Sequence, residues 1–148
     1  MLFRSLGLSD VCPDGWREFD GFCYNYDEER EVHSLTEAVS VCEKLDADVL
    51  VINSREENEF VKDLVPSAWL GMRYSYTERG YREWKLLDGK DPLFNLVESW
   101  PISDYYSRYR GNHDDICVIV SRDERVWEPT RCYFGVAPAV CKRPVGDR

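Results

Sequence analysis

The amino-acid sequence predicts a single α+β domain that is stapled by disulfides. Its 148 residues are enough for one hydrophobic core and too few for two domains of ordinary size. Two helix-capping motifs lie in the first half of the chain and most runs with strand character lie in the second half, which is typical of an α+β domain. Six cysteines occur without any Cys-x-x-Cys pair, so disulfides are favoured over a zinc ribbon or a redox motif.

The composition is that of a folded, acidic chain. Hydrophobic residues make up 43% of the sequence and aromatic residues 14%, which is too apolar for a disordered chain although 32% of the residues are charged. The net charge of −9 argues against nucleic acid and against an anionic membrane surface as partners. Because disulfides persist in oxidising compartments, we expect an extracellular protein, either secreted or the ectodomain of a membrane protein.

The predicted domain covers residues 10–143, with an N-terminal extension at 1–9 and a C-terminal tail at 144–148. The extension has only a short apolar stretch, interrupted by Arg4. Such a stretch is too short for a signal-peptide core and far too short to span a bilayer. No transmembrane segment is therefore expected within these residues.

The first predicted element is a β-hairpin over residues 12–26. Aromatic and polar residues alternate there around the turn-forming pairs Asp14-Gly15 and Asp20-Gly21. This pattern indicates a hairpin that is closed by a local bridge between Cys12 and Cys23.

Two helices are predicted next, each beginning at a capping box. The first box runs from Ser34 to Glu37, and the second from Ser54 to Glu57. Apolar residues then recur with helical spacing, and this places a cysteine on the buried face of the first helix. These residues are Leu35, Ala38, Val39, Cys42 and Leu45 in the first helix, and Phe60, Val61 and Leu64 in the second, which Pro66 ends.

Short strands and one long loop are predicted for the remainder. The strand runs are Val49–Ile52 between the helices, then Ala68–Met72, Ile116–Val120, Arg125–Trp127 and Ala139–Cys141. Residues 73–110 are predicted to be long and irregular because glycines and prolines interrupt them. So much loop in a compact domain usually serves a function.

The order and spacing of these landmarks resemble the long form of the C-type lectin-like domain. They extend over nearly the whole chain from Cys12 to Lys142 and include all six cysteines, which makes the match specific. The landmarks are Cys12-Pro13, Gly15-Trp16, Cys23-Tyr24, Ala38, Cys42, Val51-Ile52, Ser54, Phe60, Trp69-Leu70-Gly71, Trp84, Trp100, Cys117, Trp127, Cys132 and Val140-Cys141.

This resemblance implies a C-type lectin-like fold, in which two helices pack on small antiparallel sheets beside a long irregular loop region. It also implies three disulfides, which pair Cys12 with Cys23, Cys42 with Cys141, and Cys117 with Cys132. Six cysteines alone permit fifteen pairings.

Sugar-binding members of the family hold Ca²⁺ with a Glu-Pro-Asn or Gln-Pro-Asp run, acids just before the cysteine at position 117, and a Trp-Asn-Asp run. Here the last run reads Trp127-Glu128-Pro129, and neither Glu-Pro-Asn nor Gln-Pro-Asp occurs between Trp100 and Cys117. Asp114 and Asp115 do lie where the acids before this cysteine belong. Ca²⁺ needs six to eight oxygen ligands, so a partial set makes a poor site. No cofactor is therefore expected, although a rearranged calcium site stays open as the alternative to solvated loop charge. Its acids would be Asp104, Asp114, Asp115 and Glu128.

A second calcium position found in some relatives would use the carbonyl of Val51, Glu57 and an acid after the last cysteine. Lys142 stands at that last place. Its ammonium would pair with Glu57 and substitute for the ion, as a surface pair worth about 0 to 1 kcal/mol.

Tyrosines are concentrated in the predicted loop. Six of the nine lie between Arg73 and Arg110, mixed with serines and five arginines. This composition is typical of paratopes, because tyrosine offers a large contact area at low entropic cost and arginine supplies charge-assisted hydrogen bonds. The alternative is that some of these tyrosines cover a small core. The predicted ligand-binding residues are Tyr74, Tyr76, Tyr81, Tyr105, Tyr106, Arg108, Tyr109 and Arg110, whereas Trp69, Trp84, Trp100 and Trp127 are expected in the core.

The sequence therefore predicts a recognition module that binds a protein or other macromolecular ligand, such as a cell-surface ligand, without calcium. The alternative is a calcium-dependent lectin that binds carbohydrate at a non-standard site. Catalysis is not expected, because the cysteines are bridged and only His33 and His113 offer bases at neutral pH. Dimer formation stays open.

Overall fold

A computed structural model describes residues 11–76, 82–97, 116–133 and 135–146, and two helices and eleven strands lie in this part of the chain. In chain order they are β1 (Arg17–Phe19), β2 (Phe22–Asn25), β3 (Glu31–Val32), α1 (Leu35–Lys44), β4 (Asp48–Val49), α2 (Arg55–Leu64), β5 (Ser67–Trp69), β6 (Met72–Tyr76), β7 (Arg82–Leu86), β8 (Ile116–Ser121), β9 (Glu128–Arg131), β10 (Ala137–Pro138) and β11 (Cys141–Pro144).

The predicted N-terminal hairpin is confirmed, and it shares a four-stranded antiparallel sheet with the last strand. β1 and β2 are joined by Asp20 and Gly21, whose φ angles of 50° and 85° suit a tight hairpin turn. β11 lies between β2 and β4, with Cys141 opposite both Asn25 and Val49. The first and last described strands are therefore in one sheet.

Both helices begin at the predicted capping boxes. Ser34 Oγ accepts a hydrogen bond from the backbone N–H of Glu37 at 3.0 Å, and Ser54 Oγ accepts one from Glu57 at 3.0 Å. Each glutamate carboxylate in turn accepts the N–H of the residue before the cap. Two otherwise unpaired N–H groups are satisfied at each helix start, which explains why these short motifs set the boundaries.

The prediction of an irregular loop from residue 73 onward is wrong for its first part. β6 and β7 pair as antiparallel strands, and Tyr74 lies opposite Trp84 with ring centroids 5.2 Å apart. This aromatic pair stabilises a strand pairing that the interrupted sequence pattern did not indicate. β6 also pairs with β8, and β8 pairs in turn with β5 and β9. Five of the described strands therefore form one sheet. Residues 98–110 of the predicted loop lie outside the described residues.

Several predicted strands have different bounds in the structure. The backbone N–H and C=O groups beyond those bounds form hydrogen bonds with other segments of the chain. The predicted strand at 49–52 ends at Val49, where Leu50 N–H donates to Val140 and Leu50 O accepts from Gly71. The predicted strand at 68–72 is divided into β5 and β6 by Leu70 and Gly71. The strand expected at 125–127 begins later, at β9, and the one expected at 139–141 is replaced by β10 and β11.

Within the described ranges the core forms two clusters, each built around a buried tryptophan. Trp127 is 2% exposed and its indole N–H donates to Asn58 Oδ1 at 2.9 Å. Trp69 is fully buried and donates to the carbonyl of Val32 at 3.2 Å. The prediction of core tryptophans is confirmed for these two. Trp84 is partly buried at the edge of the first cluster, and Trp100 lies outside the described residues.

The three disulfides pair as the resemblance implies, Cys12 with Cys23, Cys42 with Cys141, and Cys117 with Cys132. The second bridge joins α1 to β11 across 99 residues of sequence, and both of its cysteines are fully buried. It therefore connects the first helix to the last strand through the interior. Within the described ranges, no helix has the length and apolar character needed to cross a bilayer.

Candidate functional site

The structure describes only two of the tyrosines and arginines that were predicted to bind a ligand. The ring of Tyr74 is half-buried against Trp84 in the sheet, which fits the alternative that some tyrosines cover a core. Tyr76 is the last residue of β6. The other predicted binding residues lie outside the described residues, namely Tyr81, Tyr105, Tyr106, Arg108, Tyr109 and Arg110.

Of the acids considered for a rearranged calcium site, Glu128 alone is described. It is exposed at the start of β9, opposite Ile119. Pro129 follows in the same strand, opposite Val118, and provides no side-chain oxygen there. Asp104, Asp114 and Asp115 lie outside the described residues. In the part of the chain that is described, no group of three His, Cys, Asp or Glu residues is placed to hold a metal ion.

At the second calcium position that the resemblance implies, a lysine occupies the place of the ion. Lys142 Nζ lies 2.6 Å from Glu57 Oε2 and 3.0 Å from the carbonyl oxygen of Val51. The two side chains are 8% and 7% exposed, and the ring of Phe22 lies 4.4 Å from the ammonium. The expected pairing is confirmed, but its description as a surface pair is wrong, because the fold removes both charges from water.

Tyr24 completes this buried cluster. Its hydroxyl donates to Glu57 Oε2 at 2.5 Å, while Glu57 Oε1 accepts the backbone N–H of Asn53 at 2.9 Å. Every oxygen of the Glu57 carboxylate therefore has a partner, and the negative charge faces the ammonium of Lys142. Burial raises the pKa of Tyr24, and the adjacent Glu57 carboxylate raises this pKa further.

Comparison with known proteins supplies the family. Residues 31–143 match the family model described as the Lectin C-type domain. The chain belongs to the C-type lectin family. Mouse Lymphocyte antigen 75 is 32% identical over 152 residues, an alignment that covers 93% of this lectin domain and 8% of that protein. Snaclec 4 of Daboia siamensis is 27% identical, with 96% of this chain and 91% of the snaclec aligned.

A solved structure agrees with this assignment. The human scavenger receptor C-type lectin carbohydrate-recognition domain superimposes with a TM-score of 0.72 at 26% identity, over 90% of this chain and 99% of that one. The C-type lectin domain described here thus spans about 8% of the length of Lymphocyte antigen 75 but 91% of the length of Snaclec 4.

Tyr24 was not predicted as a member of the buried cluster of this lectin domain. The signal was present only in the strand register, because β2 and β11 place Tyr24 directly opposite Lys142. Asn58, which accepts from the indole of Trp127, was missed for the same reason, since its partner is 69 residues away. No local pattern indicates these hydrogen-bonding roles for either residue.

We expect Tyr24 to make the C-type lectin domain less stable at alkaline pH. In the unfolded chain a tyrosine ionises at about pH 10, whereas the raised pKa keeps folded Tyr24 protonated well above that pH. The stabilisation is fully present below about pH 10 and is lost, at up to about 1.4 kcal/mol per pH unit, as the pH rises toward the folded pKa. Urea unfolding across this range should therefore show a shallower decline for Tyr24→Phe than for the parent. Identical slopes would contradict the assignment.

Proposed function

We propose that this C-type lectin domain is an extracellular recognition module that binds a protein or other macromolecular ligand without calcium. The observation that supports calcium independence most strongly is the position of Trp127-Glu128-Pro129 at the start of β9. Glu128 is exposed and Pro129 pairs within β9, so the second position of the family's Asn-Asp pair has no side-chain oxygen. The proposed role is binding and not catalysis.

The second calcium position supports the same proposal. A divalent cation there would have to displace the ammonium of Lys142, which already binds the Val51 carbonyl and the Glu57 carboxylate. Because the side chain of Lys142 is covalently part of β11, this cation cannot be removed by a chelator. The core around Glu57 and Tyr24 is therefore complete without an added ion.

The ligand is proposed to contact the tyrosine-rich loop residues. Tyr105, Tyr106, Arg108 and Tyr109 concentrate three aromatic rings and a guanidinium within five positions of the sequence. Tyrosine and arginine are enriched among interface residues whose truncation costs about 2 kcal/mol or more. The three disulfides, together with receptors and snaclecs among the relatives, support an extracellular location for such a surface.

A glycan and cell-surface binding screen, run with Ca²⁺ and with chelator, would supply the ligand. Alanine at Tyr105, Tyr106 or Tyr109 should then weaken binding by about tenfold or more and leave the thermal midpoint almost unchanged. Tyr133→Ala is the matched control, because Tyr133 is 49% exposed and is not among the predicted binding residues. Loop variants that lose about 3 to 5 kcal/mol of stability would instead identify these rings as core.

The second candidate is a calcium-dependent carbohydrate-binding lectin. It is favoured by Asp114 and Asp115, which precede Cys117 where the family has acids, and by the similarity to a carbohydrate-recognition domain. A rearranged site would have to be built from these acids with Asp104 and Glu128.

We expect calcium to leave the stability of the domain unchanged. A site that binds only the folded state stabilises it by about 2.7 kcal/mol at a hundredfold excess over Kd, which shifts the thermal midpoint by several degrees. Thermal unfolding in about 5 mM CaCl₂, with MgCl₂ as the control for ionic strength, should show no such shift. A rise of several degrees that chelator reverses would favour the lectin candidate.

A further inference from the structure

An open apolar cleft lies between α1, β4 and the turn that follows β7. Two adjoining hollows of about 370 Å³ each share Asp48, Val49, Val51 and Leu86 in their walls. Val39 of α1 lies at one end and Leu93 at the other. The two hollows together are called the α1–β7 cleft.

The cleft is bordered by large hydrophobic side chains that face water. Leu87 is 42% exposed and Leu93 is 80% exposed, the largest exposed fraction among the large hydrophobic residues in the described ranges. Isolated exposed apolar residues are ordinary, but two of them beside a continuous apolar depression are typical of an interaction site.

The wall formed by residues 86–91 is fixed before any ligand arrives. Leu86 N–H donates to the carbonyl of Lys90 and Gly89 N–H donates to that of Leu86, at 2.8 and 2.9 Å. Lys85 Nζ binds Asp91 Oδ1 at 2.5 Å at the base of this turn. A preformed wall lowers the ordering cost of binding, because the protein side loses little conformational freedom.

The two hollows of the cleft differ in charge. Glu43 lines only the hollow beside α1, Asp48 lines both hollows, and the Asp88 carboxylate already accepts the N–H of Lys90 at 2.9 Å. Lys90 and Arg143 line only the other hollow, where Asp91 is already paired with Lys85. The occupant that matches this distribution is apolar in the middle, cationic at the α1 end and anionic at the Lys90 end.

We propose that the α1–β7 cleft binds an extended segment of a partner protein that carries alternate apolar side chains between a basic and an acidic end. In an extended chain every second side chain points to the same side, so two apolar residues of one segment would enter the two hollows. The basic end of the segment lies at Glu43 and the acidic end at Lys90. This surface is separate from the tyrosine-rich loop residues that the proposed function assigns to the ligand, although Val51 and Lys142 of the buried cluster also line it.

The test uses the peptide acetyl-Lys-Thr-Leu-Thr-Leu-Thr-Glu-amide and the isotope-labelled domain in solution. In an extended chain the lysine, both leucines and the glutamate of this peptide lie on one side. Amide chemical shifts should move at Val39, Val49 and Leu87 with a Kd below about 2 mM, which suits a short peptide with few contacts. The matched peptide with serine in place of both leucines should cause no shifts. Shifts of equal size with the serine peptide, or none with the leucine peptide at about 5 mM, would overturn the proposal.

Variants locate the binding and its orientation. Leu93→Asp should weaken binding of the leucine peptide at least about fivefold. Val136→Asp is the control and should leave this affinity unchanged, because Val136 is 50% exposed and lies in neither wall. Glu43→Lys should lower the affinity for this peptide and raise the affinity for a peptide whose two end charges are exchanged. Equal affinities for the two charge orders in both proteins would overturn the orientation argument. A dimer that forms at high protein concentration and is lost in Leu93→Asp would assign the cleft to a second copy instead.

Discussion

Replacing Cys42 and Cys141 with alanine is expected to destabilise the domain by about 5 kcal/mol, the largest effect of removing any of the three bridges. The bridge closes a loop of 99 residues, for which chain entropy alone accounts for about 4.7 kcal/mol. Both cysteines are fully buried, so their removal also leaves unfilled space between α1 and β11. Because ordinary domains are stable by only about 5 to 15 kcal/mol, this variant should be close to unfolding at room temperature.

The matched control is the double alanine variant at Cys12 and Cys23. That bridge closes a loop of 11 residues within the N-terminal hairpin, and the same entropy relation gives about 3 kcal/mol. Guanidinium unfolding of the two variants and the parent, analysed with a common slope, gives the difference directly. A hairpin variant that loses as much stability as the α1–β11 variant would contradict the loop-length argument.

Lys142→Met is expected to lower the free energy of unfolding by about 3 to 5 kcal/mol, because it leaves the carboxylate of Glu57 buried without its cation. Glu57 is 7% exposed, and only the hydroxyl of Tyr24 and one backbone N–H would remain as its partners. Methionine keeps the length and apolar stem of the lysine, so the change removes the charge with little loss of packing.

Two variants separate the effect of charge from the effect of burial. Lys142→Met combined with Glu57→Gln should recover much of the lost stability, since a buried neutral pair leaves no unpaired charge. Lys85→Met removes an ion pair of similar length, but its partner Asp91 is 81% exposed, and we expect little change there. If both lysine variants lost equal stability in urea unfolding, burial would not be the reason for the importance of Lys142.

Local hydrogen bonds explain which parts of the fold were predictable. The starts of α1 and α2 depend on Ser34 with Glu37 and on Ser54 with Glu57, contacts within four residues that a sequence displays directly. The turn at Asp20-Gly21 is equally local. The strand pair β6 and β7 was missed because its stability comes from Tyr74 against Trp84, ten positions apart and obscured by interrupting residues.

The sequence by itself determined the helix starts, the first hairpin and, through the spacing of its landmarks, the family and the disulfide pairing. Only the tertiary structure decided that Lys142 and Glu57 are an interior pair and that Tyr24 joins them. These residues are separated by up to 118 positions, and the sheet register of β2 and β11 with the placement of α2 brings them together. The strength of a charge pair depends on how much water surrounds it, and that exposure is a property of the whole packed domain rather than of any local run of residues.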